Sequence, residues 1–225
     1  AEMKDPQALM ITVDLFAESD FKDCDEILPD VFLLKGFALQ QASQLLTAIE
    51  QINAQSPFRK MQTPGGFYMS AAITNCGAVG WHTDRNGYRY TATDPLTNLP
   101  WPEMPQCFRD LAETAAERCG FSDFNPDVCL MNQYEVGAKM GLHQDKDERD
   151  FSQPIVSVSL GLPIIFQFGG ASRNDPKQRI QLKHGDVIVW GRAARRYYHG
   201  VLTLKPGQHS LTGPYRFNLT FRQAS

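Results

Sequence analysis

With 225 residues the chain can bury a sizeable core, as one large domain or two small ones. Its 42% hydrophobic and 21% charged residues are those of an ordinary soluble protein. A formal net charge of -3 argues mildly against a protein held to nucleic acid mainly by phosphate contacts. There is no apolar run of about 18 residues, so no membrane span is expected. The first twenty residues lack the basic-then-apolar plan of a signal peptide. Ala1–Leu9 precede Met10 and are set aside as foreign to the fold. Five cysteines (Cys24, Cys76, Cys107, Cys119, Cys129) form no Cys-x-x-Cys and show no zinc spacing, which fits reduced thiols in a cytoplasmic protein.

Taken in order, the spacing of Leu39, Ala42, Leu45, Leu46, Ile49 and Ile52 predicts a helix over Leu39–Asn53. A second helix is expected over Pro105–Cys119, with Pro105 in its first turn and Gly120 as its stop. Phe108, Leu111, Ala112, Ala115, Ala116 and Cys119 make its apolar stripe. Between them Met61–Trp101 is rich in Gly, Thr, Asn, Tyr and Pro, and reads as short hairpins and loops rather than a packed sheet. From Val128 onward the pattern becomes strands: Val128–Tyr134, Ile155–Leu162, Pro163–Phe168, Arg179–Lys183, Asp186–Trp190 and Tyr215–Phe221, punctuated by Gly, Asn-Asp-Pro and Pro-Gly turns. About eight short strands with such turns predict a mainly β double-sheet jelly roll with flanking helices.

Chemistry concentrates in three places. In His143-Gln144-Asp145 alternate residues of a strand would face the same way. His199, from another strand, would complete a 2-His-1-carboxylate set of the kind that holds non-haem Fe(II) and leaves positions open. The strand from Tyr215 alternates Tyr215, Phe217, Leu219 and Phe221 with Arg216, Asn218, Thr220 and Arg222. The plain reading is a half-buried strand with its polar face in water; the sharper one sets two guanidiniums and an amide around a dianion. Asn132 and Tyr134 share a face in the same way. A dicarboxylic 2-oxo acid needs a metal at one end and cations for its carboxylates, and this chain supplies both. His82, His184 and His209 read as structural or surface residues. The basic groups Arg85/Arg89, Arg173/Lys177/Arg179 and Arg192/Arg195/Arg196 read either as solvated loop charge or as local phosphate contacts.

Asn132-Gln-Tyr134, Leu142-His-Gln-Asp-Lys-Asp-Glu148, Val156-Ser-Val-Ser-Leu-Gly161, Phe166-Gln-Phe-Gly-Gly170, His184-Gly-Asp186, Tyr198-His-Gly200 and Arg216-Phe-Asn-Leu-Thr-Phe-Arg222 together resemble the AlkB family, its bacterial branch most closely. The resemblance runs from about Leu28 to Gln223. It implies Fe(II)- and 2-oxoglutarate-dependent dioxygenases that use O2 to demethylate alkylated bases. The implied fold is a double-stranded β-helix with a nucleotide-recognition lid before it: a tail over 1–26, helices and lid over 27–127, and the dioxygenase core over 128–225, as one compact unit.

The implied metal ligands are His143, Asp145 and His199. Arg216 with Tyr134 and Asn218 would hold the distal carboxylate of 2-oxoglutarate, and Arg222 with Asn132 would attend the end that chelates iron, though which arginine meets which carboxylate is left open. A flipped base would lie between Trp81 and His143. Asp147 would accept a hydrogen bond from its exocyclic amine, while Thr63, Tyr88 and Arg173 match nucleic-acid contacts. Ile73, where relatives carry Met, and Gly141, where they carry Ser, depart from the pattern on the substrate side. The implied reaction on 1-methyladenine and 3-methylcytosine in single-stranded DNA, with duplex DNA or RNA as further substrates, releases formaldehyde, succinate and CO2, and a monomer is expected. Two other readings are an Fe(II)/2-oxoglutarate hydroxylase of a protein or small molecule, and a non-catalytic nucleic-acid-binding module. No Gly-x-Ser-x-Gly elbow or phosphate-binding glycine loop supports hydrolysis.

Overall fold

The computed structural model describes residues 24–225; the tail read over 1–26 therefore lies outside the described residues except for its last three positions. In chain order, β1 (Asp25–Leu28) and β2 (Val31–Leu34) precede helix α1 (Ala42–Gln55). Then come β3 (Ala72–Gly77), a hairpin of β4 (Gly80–Asp84) and β5 (Gly87–Thr91), and helix α2 (Gln106–Arg118). The core follows as β6 (Val128–Tyr134), β7 (Met140–His143), β8 (Ile155–Gly161), β9 (Ile164–Phe168), β10 (Gln178–Leu182) and β11 (Val187–Trp190). A 3-10 helix (Arg192–Arg196), β12 (His199–Val201) and β13 (Arg216–Arg222) complete it. Among the described residues no helix is long and apolar enough to cross a membrane.

Two antiparallel sheets form the jelly roll, a seven-stranded one ordered β1-β2-β11-β8-β13-β6-β3 and a four-stranded one ordered β10-β9-β12-β7. Both helices pack on the outer face of the larger sheet. Their stripes, led by Leu45, Ile49, Phe108 and Leu111, bury Val156, Val158, Leu219 and Phe221 from the sheet beneath. Phe108 meets Phe221 edge-on with ring centroids 5.9 Å apart. A buried aromatic of this kind holds about 3–5 kcal/mol against truncation to alanine. The second core, including Ile155, Phe166, Phe168, Ile188 and Trp190, fills one part of the space between the sheets. The cavity takes the rest.

Helix α2 forms as predicted, with Pro105 at its N-cap and Gly120 just beyond its C-cap at φ +83°. The first helix starts later than predicted. Gly36 and Ala38 are tied by their N–H groups to Asp186 and Gly185, so the chain reaches Ala42 through turns and leaves Leu39 exposed. The region read as loops and hairpins also holds a strand of the main sheet. β3 pairs with β6 over its whole length, Cys76 opposite Cys129. Its polar Thr74 and Asn75 masked it because both are fully buried and satisfied locally, Thr74 by the Ser56 carbonyl and Asn75 by the Trp81 backbone.

Candidate active site

β12 and β7 are antiparallel neighbours with His199 directly opposite His143, and their ring centroids lie 4.4 Å apart. β7 ends at His143, so strand alternation does not carry Asp145 to the same side, contrary to the sequence expectation. An irregular segment turns it inward instead. Its carboxylate oxygens lie 3.7 Å from His143 Nε2 and 3.3 Å from His199 Nε2. One donor atom from each residue falls within 4.8 Å of the others. Each imidazole is oriented by the carbonyl two residues before it: His143 Nδ1 bonds Gly141 O at 2.8 Å and His199 Nδ1 bonds Tyr197 O at 3.0 Å. A carbonyl only accepts, so both Nδ1 atoms carry a proton, and the Nε2 atoms, turned toward Asp145, are the ones left to ligate a metal.

Loss of solvent within the cavity, then the neighbouring His199, hold the His143 imidazole down to about 4, in its neutral, ligating form near pH 7. Burial alone would raise the Asp145 carboxyl, but Arg222 and then His199 keep it well below the usual carboxylate range. Asp145 Oδ2 is buried without a hydrogen-bond partner among the described residues. Two imidazoles and one carboxylate facing a common point are the donor set that suits Fe(II).

β13 is paired on both edges, to β6 and to β8, with Arg216 opposite Tyr134 and Asn218 opposite Asn132. Leu219 and Phe221 face the helices, and Arg216, Asn218, Thr220 and Arg222 face the cavity. The polar face is thus buried between two sheets rather than solvated. Arg216 is 1% exposed. Its Nη2 donates to Ser159 Oγ at 2.9 Å and its guanidinium lies over the Tyr134 ring, yet Nε and Nη1 have no hydrogen-bond partner among the described residues. An uncompensated buried cation costs several kcal/mol, and a carboxylate beside either free N–H would form a charge-assisted hydrogen bond. Burial lowers the Arg216 pKa and raises that of Tyr134. Asn132 Oδ1 is likewise buried and unpaired. Asn218 lines the same wall, but its amide donates to Ser157 Oγ and Val158 O while its oxygen accepts from Thr220. At the other end of the strand Arg222 Nη2 donates to Asp145 Oδ1 at 3.0 Å.

These residues line one cavity of about 640 Å3, and Thr63, Ile73, Trp81, Tyr88, Asp147 and Arg173 line it as well. Trp81 on β4 stacks on Tyr88 of β5, centroids 5.6 Å apart, and its Nε1 donates to Asp147 Oδ2 at 3.1 Å. Ile73 is buried with Met61 and Leu130 beneath Trp81. Arg173 donates to the Leu142 carbonyl and lies over Tyr198. Thr63 Oγ1 accepts from the Phe67 N–H in a tight turn.

Several lining residues were not picked out in the sequence. Tyr90, Glu148 and Trp190 reach the cavity, and Tyr90 Oη and Trp190 Nε1 have no hydrogen-bond partner among the described residues. The Arg192/Arg195/Arg196 group is not one solvated patch. Arg195 is 2% exposed and ion-pairs with Glu148 at 2.7 Å, while Arg192 lies over Phe121. Nor is Arg89 a free phosphate contact, since it grips Asp84 with two bonds. His184 accepts the Gly161 N–H and packs at a tilt against the His209 ring, centroids 4.4 Å apart, a structural role as expected.

The model of the 2OG-Fe(II) oxygenase superfamily matches residues 30–222, so the class defined by this fold and donor set is that of the 2OG-Fe(II) oxygenases. The chain is 55% identical over 212 residues to the alpha-ketoglutarate-dependent dioxygenase AlkB of Escherichia coli (strain K12), covering 94% of this chain and 98% of that protein. Identity to the dioxygenase of the same name from Salmonella typhimurium (strain LT2) is 53% over 214 residues, covering 95% and 98%. The solved structure of OsALKBH1 superposes with a TM-score of 0.76 at 28% identity, covering 89% of this chain and 99% of that one. The chain belongs to the AlkB family and is an alpha-ketoglutarate-dependent dioxygenase.

Proposed function

We propose that the enzyme reverses alkylation damage by oxidative demethylation of 1-methyladenine and 3-methylcytosine in single-stranded DNA, with duplex DNA and RNA as secondary substrates. The observation that carries this reading is a single cavity joining the His143–Asp145–His199 cluster to an aromatic slot with a carboxylate at its edge. When bound, Fe(II) with 2-oxoglutarate and O2 supplies the oxidising power, leaving succinate and CO2, with the methyl group lost as formaldehyde.

The protein's part is placement. His143, Asp145 and His199 hold the metal through Nε2, carboxylate oxygen and Nε2. Arg216, which lines the cavity with Nε and Nη1 unpartnered among the described residues, takes the distal carboxylate of 2-oxoglutarate beside Tyr134. Arg222 and Asn132 serve the metal-chelating end, which agrees with the Arg222–Asp145 bond. Asn218, with its amide committed to β8, steadies this wall. Trp81 and the His143 ring enclose the extruded base, and extrusion is cheap where methylation has already broken the pairing. The exocyclic amine of the base takes over the Asp147 oxygen now held by the Trp81 indole. A carboxylate there favours the cationic, methylated base over the neutral product. Thr63, Tyr88 and Arg173 meet the phosphates and flanking bases at the rim, and Ile73 forms the slot's apolar back. We place the recognition lid within 27–127, around β4 and β5, with the catalytic core over 128–225. We propose a cytoplasmic monomer.

The test is mass spectrometry of a 1-methyladenine oligonucleotide incubated with the protein, Fe(II), ascorbate and 2-oxoglutarate. Loss of one CH2 per lesion, dependent on each component, is expected. An unchanged oligonucleotide beside rapid succinate production would assign the oxidation to a protein or small-molecule substrate instead.

A further inference from the structure

Asp145 sits on a segment that no sheet holds. Between the end of β7 at His143 and the start of β8 at Ile155 the chain has neither helix nor strand. Ordering such backbone costs conformational entropy that no ladder of hydrogen bonds offsets, and a ligand carried on it needs some other restraint. Arg195 supplies three bonds to this one stretch: Nη1 to the Asp145 carbonyl at 3.0 Å, Nη2 to Glu148 Oε1 at 2.7 Å and Nε to the Gln153 carbonyl at 3.0 Å. Its guanidinium also lies over the Phe151 ring. Arg195 stands on the 3-10 helix that leads straight into Tyr197, whose carbonyl orients His199. One buried cation therefore ties the backbone that delivers Asp145 to the backbone that delivers His199. Arg222 closes the circuit, bonding the Asp145 side chain and lying 3.7 Å from Glu148.

We propose that Arg195, working with Glu148, is a positioning residue for the metal centre: it sets the spacing of Asp145 from His199 and thereby the affinity for the divalent ion. The inference rests on the metal assignment above. Arg195 itself does not touch the ion. Its planar fork reaches three acceptors at once, which a lysine ammonium on a flexible stem does not reproduce. Outer residues that orient ligands are worth about 10–100-fold in metal affinity.

Anaerobic titration with Mn(II), followed by the EPR signal of the free ion, reads this without turnover. The wild type, His199→Ala, Arg195→Met, Arg195→Lys and Glu148→Gln are compared, with thermal unfolding measured on each. The expected result is a Mn(II) Kd raised about 10–100-fold in Arg195→Met. Arg195→Lys and Glu148→Gln should give smaller rises, on chains that still fold. A wild-type Kd in folded Arg195→Met overturns the proposal. If that variant does not fold, an unchanged Kd in Arg195→Lys overturns it instead. Wild-type binding that His199→Ala does not weaken would defeat the metal assignment itself, and this inference with it.

Discussion

The floor of the cavity and its rim hold their polar side chains in different ways. At the floor, Asp145, His199, Arg216, Asn218 and Arg222 are all buried, and Arg216, Asn218 and Arg222 stand on a strand bonded along both edges. At the rim, Trp81 and Tyr88 stand on a two-stranded sheet, Tyr88 is 52% exposed, and Trp81 is joined to Asp147 by one hydrogen bond. A lone hairpin is marginal by itself and belongs to the parts of a protein that open at low free-energy cost. The contrast separates two tasks. In the proposed reading the floor is preorganised for ligands that are the same in every turnover, whereas the rim would break and remake contacts each time a strand delivers a base.

Substitutions at the two places should therefore fail differently. Asp145→Ala removes a ligand and leaves Arg222 without its hydrogen-bonded carboxylate, so demethylation should fall to background in a single-turnover assay. In the proposed site Arg216→Ala would lose its charge-assisted bonding to 2-oxoglutarate, about 1.5–3 kcal/mol per bond. The KM for 2-oxoglutarate should rise on the order of 100-fold or more, with the KM for oligonucleotide unchanged. Trp81→Ala reverses that pattern. Loss of about 1–3 kcal/mol of stacking should raise the oligonucleotide KM about 5–100-fold and leave 2-oxoglutarate binding intact; equal damage to both would erase the distinction between floor and rim.

Gly80→Ala probes what anchors the hairpin. An added Cβ there would fall 2.3 Å from the buried Trp101 ring, and such overpacking costs about 1–3 kcal/mol, visible as a lower Tm by circular dichroism. The smallest effect concerns acid. Burial would raise the Asp94 carboxyl, but its paired bonds from Arg59 at 2.7 and 2.6 Å hold it low. A depressed carboxyl stabilises fully above the ordinary aspartate range of about 4, and that contribution is lost as pH falls through its lowered value. Between about pH 5 and 2 the wild-type Tm should therefore fall more steeply than that of Asp94→Asn.

The legible parts of this molecule were those written in local alternation. β13 shows its two faces in seven consecutive residues, so its arginine row could be read without a structure. The helix stripes and most core strands were equally plain. The metal cluster was read correctly as a group for a partly mistaken reason: His143 and Asp145 do converge, but through an irregular turn and not along a strand. Arg195 was misread because its partners Asp145, Glu148 and Gln153 lie far away in sequence, and nothing local distinguishes a buried guanidinium from its solvated neighbours Arg192 and Arg196. β3 was missed because Thr74 and Asn75, polar by type, are satisfied by groups that only the fold brings near. Strand alternation and helical stripes survive in one dimension; the pairing of buried charges does not.

The most direct check on the whole account is the visible absorption of the protein mixed with Fe(II) and 2-oxoglutarate without air. A metal-to-ketoacid charge-transfer band should develop in the wild type, disappear in Asp145→Ala and require far more 2-oxoglutarate in Arg216→Ala. No band in the wild type, or the same band in Asp145→Ala, would contradict it.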